Sequence, residues 1–170
     1  AGIVPAALEM MDQGILVAVE EAFRFGFPLD AQAILLIEVD GLEKTVPAEI
    51  GLLRALLERR GALDIVTAMS DIECEKLWKL RREFSYSLRA TGLTKLNEDI
   101  VVPRGKLQQL FRFAAQLQKK HGLQIACFGH AGDGNIHTNL MVADYDTPAG
   151  RDRADSVLDI LFAWVIAQGG

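Results

Sequence analysis

The chain has 170 residues, half of them hydrophobic, and a formal net charge of −5. That length is enough for one domain with a substantial buried core. The acidic balance, broken only by short basic clusters at Arg59-Arg60, Arg81-Arg82 and Lys119-Lys120, excludes the basic stripe that nucleic acid needs, and no apolar run approaches the length of a membrane span.

Read in order, Pro5 to Phe25 predicts one or two helices, with Leu16, Val19, Glu20 and Phe23 at helical spacing and Gly26-Phe27-Pro28 as the stop. Ala33 to Val39 is a near-continuous apolar run, which predicts a strand in a central position. Val46 to Arg60 predicts a helix with Ile50, Leu53, Leu56 and Leu57 on one side, closed by Gly61, and Leu63 to Ala68 predicts a second strand. Ser70 and Glu73 have the spacing of a capping box that opens a long helix through Leu88. Asp99 to Val102 predicts a strand stopped by Pro103, and Lys106 to Lys120 a helix ended by His121-Gly122. The last helix runs from about Pro148 to Gln168, with Val157, Ile160, Leu161, Trp164 and Val165 as its apolar stripe. Phe23, Phe111, Phe113, Phe162 and Trp164 are expected in the core. Cys74 lies in a charged helix and Cys127 in an apolar strand, so two free thiols in a reducing cytoplasm are expected.

Between the last two helices lies the most informative stretch, Phe128 to Leu140, which carries two of the chain's three histidines around a glycine-rich turn. Leu123 to Phe128 is an apolar run of strand length. Beyond the turn, Ile136, Thr138, Leu140 and Val142 alternate with His137, Asn139 and Met141. The reading is a β-hairpin in which Gly132 and Gly134 take positive φ angles and Asp133 and Asn135 tolerate the bend. His137 and Asn139 then share a face, and His130 looks at His137 across the mouth. Two converging imidazoles are the beginning of a divalent-metal site. The plainer alternative is a pair of hydrogen-bonded surface histidines. A phosphate-cradling loop is not supported, since no Gly-Lys-Ser/Thr follows, and no His-Glu-x-x-His helix supports a zinc peptidase.

Gly129 to His137 closely resembles the G-H-x-G-D-G-N-x-H signature of the C-terminal domain of FAD-linked oxidases, the group of glycolate oxidase flavin subunits, D-lactate dehydrogenases and D-2-hydroxyglutarate dehydrogenases. Pro5 to Asp12 is similar to the P-x-x-L-E-x-M-D opening of that domain, and Ala33 to Gly41 resembles its first long strand. Trp78 to Arg82 and Glu98 to Arg104 follow in the family's order, so the resemblance spans nearly all 170 residues.

This resemblance implies an α+β, ferredoxin-like fold, an antiparallel or mixed sheet with helices packed mainly on one face. It also implies the substrate domain of an enzyme that oxidises a 2-hydroxy acid, with FAD held on a separate domain and hydride passing to it from the substrate Cα. A divalent metal such as zinc would be held by His130 and His137. The family's third ligand, a glutamate of a G-E-H-G motif, and the histidine base beside it would lie beyond Gly170. Arg81 matches the family's substrate arginine, with Arg82 as the alternative alignment. Ser85, one turn on, and Asn139 match substrate-contacting positions, although relatives that read a second carboxylate carry threonine at the former. Lys95 is a second cation, but its spacing to Asp99 departs from the diacid pattern, which favours a small monoacid such as glycolate or lactate. The chain starts without methionine and stops at Gly169-Gly170, so it reads as an excised single domain, 1–170, inactive without its FAD-binding partner domain. Implied partners are that domain and further oxidase-complex subunits, in a cytoplasmic setting peripheral to the membrane. The competing reading is a stand-alone ferredoxin-like module that binds a metal ion or small carboxylate.

Overall fold

A computed structural model describes residues 2–24 and 26–170, without the side chain of Phe23. The expected core role of Phe23 and the Phe25 end of the first segment therefore lie outside the described residues. Among the described residues five strands form one antiparallel sheet: β1 (Ala7–Asp12), β2 (Ala33–Glu38), β3 (Thr94–Val101), β4 (Gln124–His130) and β5 (Asn135–Val142), in the order β2-β1-β4-β5-β3. The described residues also form the α-helices α1 (Gln13–Phe23), α2 (Val46–Arg59), α3 (Asp71–Ala90), α4 (Leu107–His121) and α5 (Pro148–Ala167). This is the α+β class with an antiparallel sheet. Among the described residues no helix is long and apolar enough to cross a membrane.

Alternation along the strands sorts the core into two layers. Ile125 and Cys127 of β4, with Ile136, Leu140 and Val142 of β5, pack beneath Leu110, Ala114 and Leu117 of α4 and Val157, Leu161 and Val165 of α5. The intervening residues Ala126, Phe128 and Met141 face the other way, onto Ile15 and Val19 of α1 and Phe84 and Leu88 of α3. The β3-α4-β4-β5-α5 run keeps both its helices on one face, as a ferredoxin-like unit should, while α1 and α3 cover the opposite face. Phe111, Phe113 and Trp164 pack against the first layer, with Phe113 and Trp164 stacked at 4.8 Å. Phe162 is a correction, being 38% exposed on the outer side of α5.

Local signals explain most of the boundaries. Ser70 and Glu73 form the reciprocal capping box of α3, Gly122 ends α4 in a left-handed turn, and the Thr147 hydroxyl caps α5. Three expectations fail. Pro5 to Asp12 is not helical: residues 7 to 12 pair with β2 on one side and, through 9 to 11, with β4 on the other, and Asp12 becomes the N-cap of α1. Its Leu-Glu-Met-Met core favours helix intrinsically, and two-sided sheet pairing overrides that preference. The strand at 33 to 38 is an edge strand rather than a central one, with Leu35 45% exposed. Leu63 to Ala68 forms no strand; its residues pair with none of the strands described, and Leu63 and Val66 are exposed.

Asp12 also ties the sheet to α1, its carboxylate accepting from the backbone N–H of Ile15 at 3.0 Å and of Cys127 at 2.8 Å. Burial pushes its pKa up to about 6, against the lowering effect of those amides. A folded-state value above the unfolded one means the neutral acid is the favoured folded form. Its contribution is therefore complete below about pH 4 and is lost as pH rises through about 6. Relative to Asp12→Asn, the wild type should lose about 2 kcal/mol of stability between pH 4 and pH 7, read from urea midpoints. A difference that does not change with pH would contradict this.

Candidate functional site

The β4–β5 hairpin pairs Phe128 with His137 and His130 with Asn135. His130 and His137 therefore share one face as a diagonal pair, not as directly opposed partners, with ring centroids 5.9 Å apart and planes at 71°. Of the two turn glycines only Gly134 takes a positive φ, at 82°. A Cβ there would come within 2.1 Å of the Val102 carbonyl oxygen, so only glycine fits between the turn and the end of β3. Gly129, at φ 154°, is equally constrained, since a Cβ would lie 2.6 Å from the Asn135 carbonyl oxygen.

Each imidazole is oriented by a carboxylate. His130 Nδ1 lies 2.5 Å from Glu9 Oε1, and His137 Nδ1 is bonded to Asp99 Oδ1 from the adjacent β3. No hydrogen bond holds either Nε2 among the described residues, and the side chains are 48% and 26% exposed, so a ligand can reach them. Among the described residues no group of three His, Cys, Asp or Glu side chains is placed to hold a metal. The two-imidazole donor set does fit part of one. With a Zn–N bond of about 2.0–2.1 Å and tetrahedral angles, two ring centroids on one ion lie roughly 5.2 Å apart, so these rings, at 5.9 Å, would have to close by under an ångström to share one. Carboxylates on both Nδ1 atoms are also the usual outer support for metal-binding histidines.

Glu9 is the residue around which the site is assembled. It projects from β1 into the layer under α3, and its side chain is only 4% exposed. Its Oε2 accepts from Arg81 Nε at 2.8 Å and Nη2 at 2.7 Å while Oε1 meets His130. The Arg81 guanidinium lies 5.0 Å over the Phe128 ring. Arg82 points away and pairs with Glu75 on the exposed side of α3, so the sheet-facing arginine is Arg81. One turn later Ser85 accepts a hydrogen bond from Lys95 Nζ at 3.0 Å. Asn139 is fully buried on the same face as His137, and its Nδ2 donates to the carbonyls of Ala126 and His137. Its Oδ1 is left without a partner among the described residues.

The sequence-predicted residues thus fall on one sheet face, in two linked groups: Arg81 with His130 and His137, and Ser85 with Lys95. Sequence reasoning gave no role to Glu9 or Asp99. The signal for Glu9 was its place as the acidic residue of the Pro5 to Asp12 motif, and for Asp99 its place in the β3 alternation. Cys74 and Cys127 are free thiols, the first exposed and the second buried, and burial raises the Cys127 pKa well above the usual thiol value.

The family described as "FAD linked oxidases, C-terminal domain" matches residues 1–170. The glycolate oxidase subunit GlcD of Bacillus subtilis (strain 168) is 32% identical over 170 residues, covering all of this chain and 36% of that protein. The glycolate oxidase subunit GlcD of Escherichia coli (strain K12) is 31% identical over 99% of this chain and 34% of its own length. The D-lactate dehydrogenase of Anaerostipes hadrus is 23% identical over 99% of this chain and 37% of its own length. The chain therefore spans about a third of the curated relatives it matches.

Burial, and secondarily the charge of Arg89, lowers the Lys95 pKa below the usual lysine value. By NMR of ¹³C-methylated lysines, Lys95 should titrate below the usual lysine value, and Arg89→Gln should move it part of the way back. No movement in that variant would rule out the charge effect.

Proposed function

We propose a function from one premise: this chain belongs to the FAD-linked oxidase C-terminal domain family. It is the substrate- and metal-holding domain of a flavin-dependent 2-hydroxy-acid oxidoreductase of the glycolate or D-lactate type, a class supported by the names of its relatives. A self-sufficient binding module is not favoured, because the family match takes in the whole chain. The observation that carries the reading is the gathering of Arg81, His130 and His137 on one sheet face, Glu9 joining Arg81 to His130 and the His137 ring lying 5.9 Å from that of His130.

FAD, bound on another domain, supplies the hydride acceptor for the substrate Cα; no residue of this chain is assigned to it. A divalent ion, zinc by preference, would be held by His130 and His137 with further donors from outside residues 1–170, and would lower the pKa of the substrate hydroxyl. Arg81 keeps three N–H groups beyond those given to Glu9, enough to fork onto the substrate carboxylate. Asn139 has its amide hydrogens committed to backbone carbonyls and its unpartnered Oδ1 buried, so a substrate contact there requires the site to open. Lys95 gives one hydrogen bond to Ser85 and keeps two N–H groups and its charge, so the preference for a small monoacid rests on the spacing of Lys95 to Asp99. The base that takes the hydroxyl proton is assigned outside this chain. Two relatives are named as oxidase subunits, which supports partner subunits here, and the two free thiols suit the reducing cytoplasm.

In the whole flavoprotein, Arg81→Lys should raise KM for glycolate or D-lactate about 10- to 100-fold, the loss of a charged bidentate contact, while flavin content stays normal. An unchanged KM for both acids would reject the carboxylate role. His137→Ala should remove bound zinc with the flavin retained; zinc that persists at full stoichiometry would reject the ligand assignment.

A further inference from the structure

We propose that Glu9 is a positioning residue that sets, at once, which nitrogen of His130 and which edge of Arg81 a ligand meets. The ligand roles of those two side chains rest on the reading above; the positioning itself rests on geometry alone. Glu9 sits on β1 between two hydrogen-bonded neighbours, and both of its oxygens are committed, one to His130 Nδ1 and one to Arg81. An ionised carboxylate only accepts, so Nδ1 must carry the proton. A neutral imidazole has a single N–H, which leaves the lone pair on Nε2, the atom free of partners and open to a ligand. On the other oxygen, Arg81 commits Nε and one Nη2 hydrogen, and the Phe128 face fixes the plane of its fork. The remaining Nη hydrogens are the edge left for an anion.

A purely structural ion pair would make a weaker demand, namely any polar isostere that keeps the fold. Glutamine separates the two cases. Both partners of Glu9 are donors, and an amide has one acceptor oxygen and one NH₂. Placing the oxygen on Arg81 turns the NH₂ towards Nδ1, which must then accept, and the ring proton moves to Nε2. Aspartate keeps two acceptors, one methylene further back.

The experiment uses the whole flavoprotein labelled with ¹⁵N-histidine, with His130→Gln to identify the ring signals, at a pH high enough to leave the ring neutral. The wild type and Glu9→Asp should give the long-range ¹⁵N–¹H pattern of the Nδ1–H tautomer, and Glu9→Gln that of the Nε2–H tautomer. Zinc titration followed on the same signals should be weakened about 10- to 100-fold in Glu9→Gln, the usual effect of losing an outer-sphere partner. An Nε2–H pattern in the wild type overturns the proposal even where Glu9→Gln does not fold. An unchanged Nδ1–H pattern in a folded Glu9→Gln overturns it as well. A tautomer switch without zinc binding to either protein supports the positioning role and counts instead against the metal reading.

Discussion

Strand parity is the constraint on which the rest of this molecule depends. In an antiparallel sheet each side chain has two choices of face, and the hydrogen-bonded register decides between them for every residue of a strand together. Here the registers of β1, β4, β5 and β3 send Glu9, His130, His137, Asn139, Lys95 and Asp99 to one side and the larger aliphatic core to the other. A slip of one residue in β1 alone would leave His130 facing Leu8 or Met10 in place of a carboxylate. The glycines of the hairpin guard against such slips, because the close backbone approaches at Gly129 and Gly134 tolerate no side chain.

The two buried acids of β1 show how differently one strand can treat a carboxylate. Glu9 finds a guanidinium and an imidazole, so its charge is compensated where it is buried. Asp12, on the opposite face, finds neutral donors, backbone amides and the Cys127 thiol, and desolvation outweighs them. The first arrangement arms a site that ligands can reach. The second fastens a helix to the sheet with a group that prefers to be neutral.

Much of this was legible in the sequence wherever the cause is local. The capping box at Ser70 and Glu73, the glycine stop at Gly122 and the period-2 pattern after the turn are short-range signals, and the elements they predict are present. The strand at residues 7 to 12 was not legible, because Leu8, Glu9, Met10 and Met11 prefer helix and only pairing with two distant strands makes them extended. The site divides in the same way. The two histidines stand out through their spacing, but the carboxylates that orient them lie 121 and 38 residues away, a distance no local pattern spans. Resemblance to a family supplied Arg81, and the fold supplied the reason that Arg81 rather than Arg82 faces inward.

One element stands apart from this interlocked arrangement. Helix α2 contains no buried residue, so little of the apolar layer is lost when it opens. Its amides should exchange with deuterium through local fluctuations costing far less than global unfolding, while those of β4 and β5 exchange only when the whole sheet comes apart. The molecule thus pairs a slow-exchanging platform with a fast-opening flank, and insertions or sequence drift are better absorbed along α2 than anywhere near the hairpin.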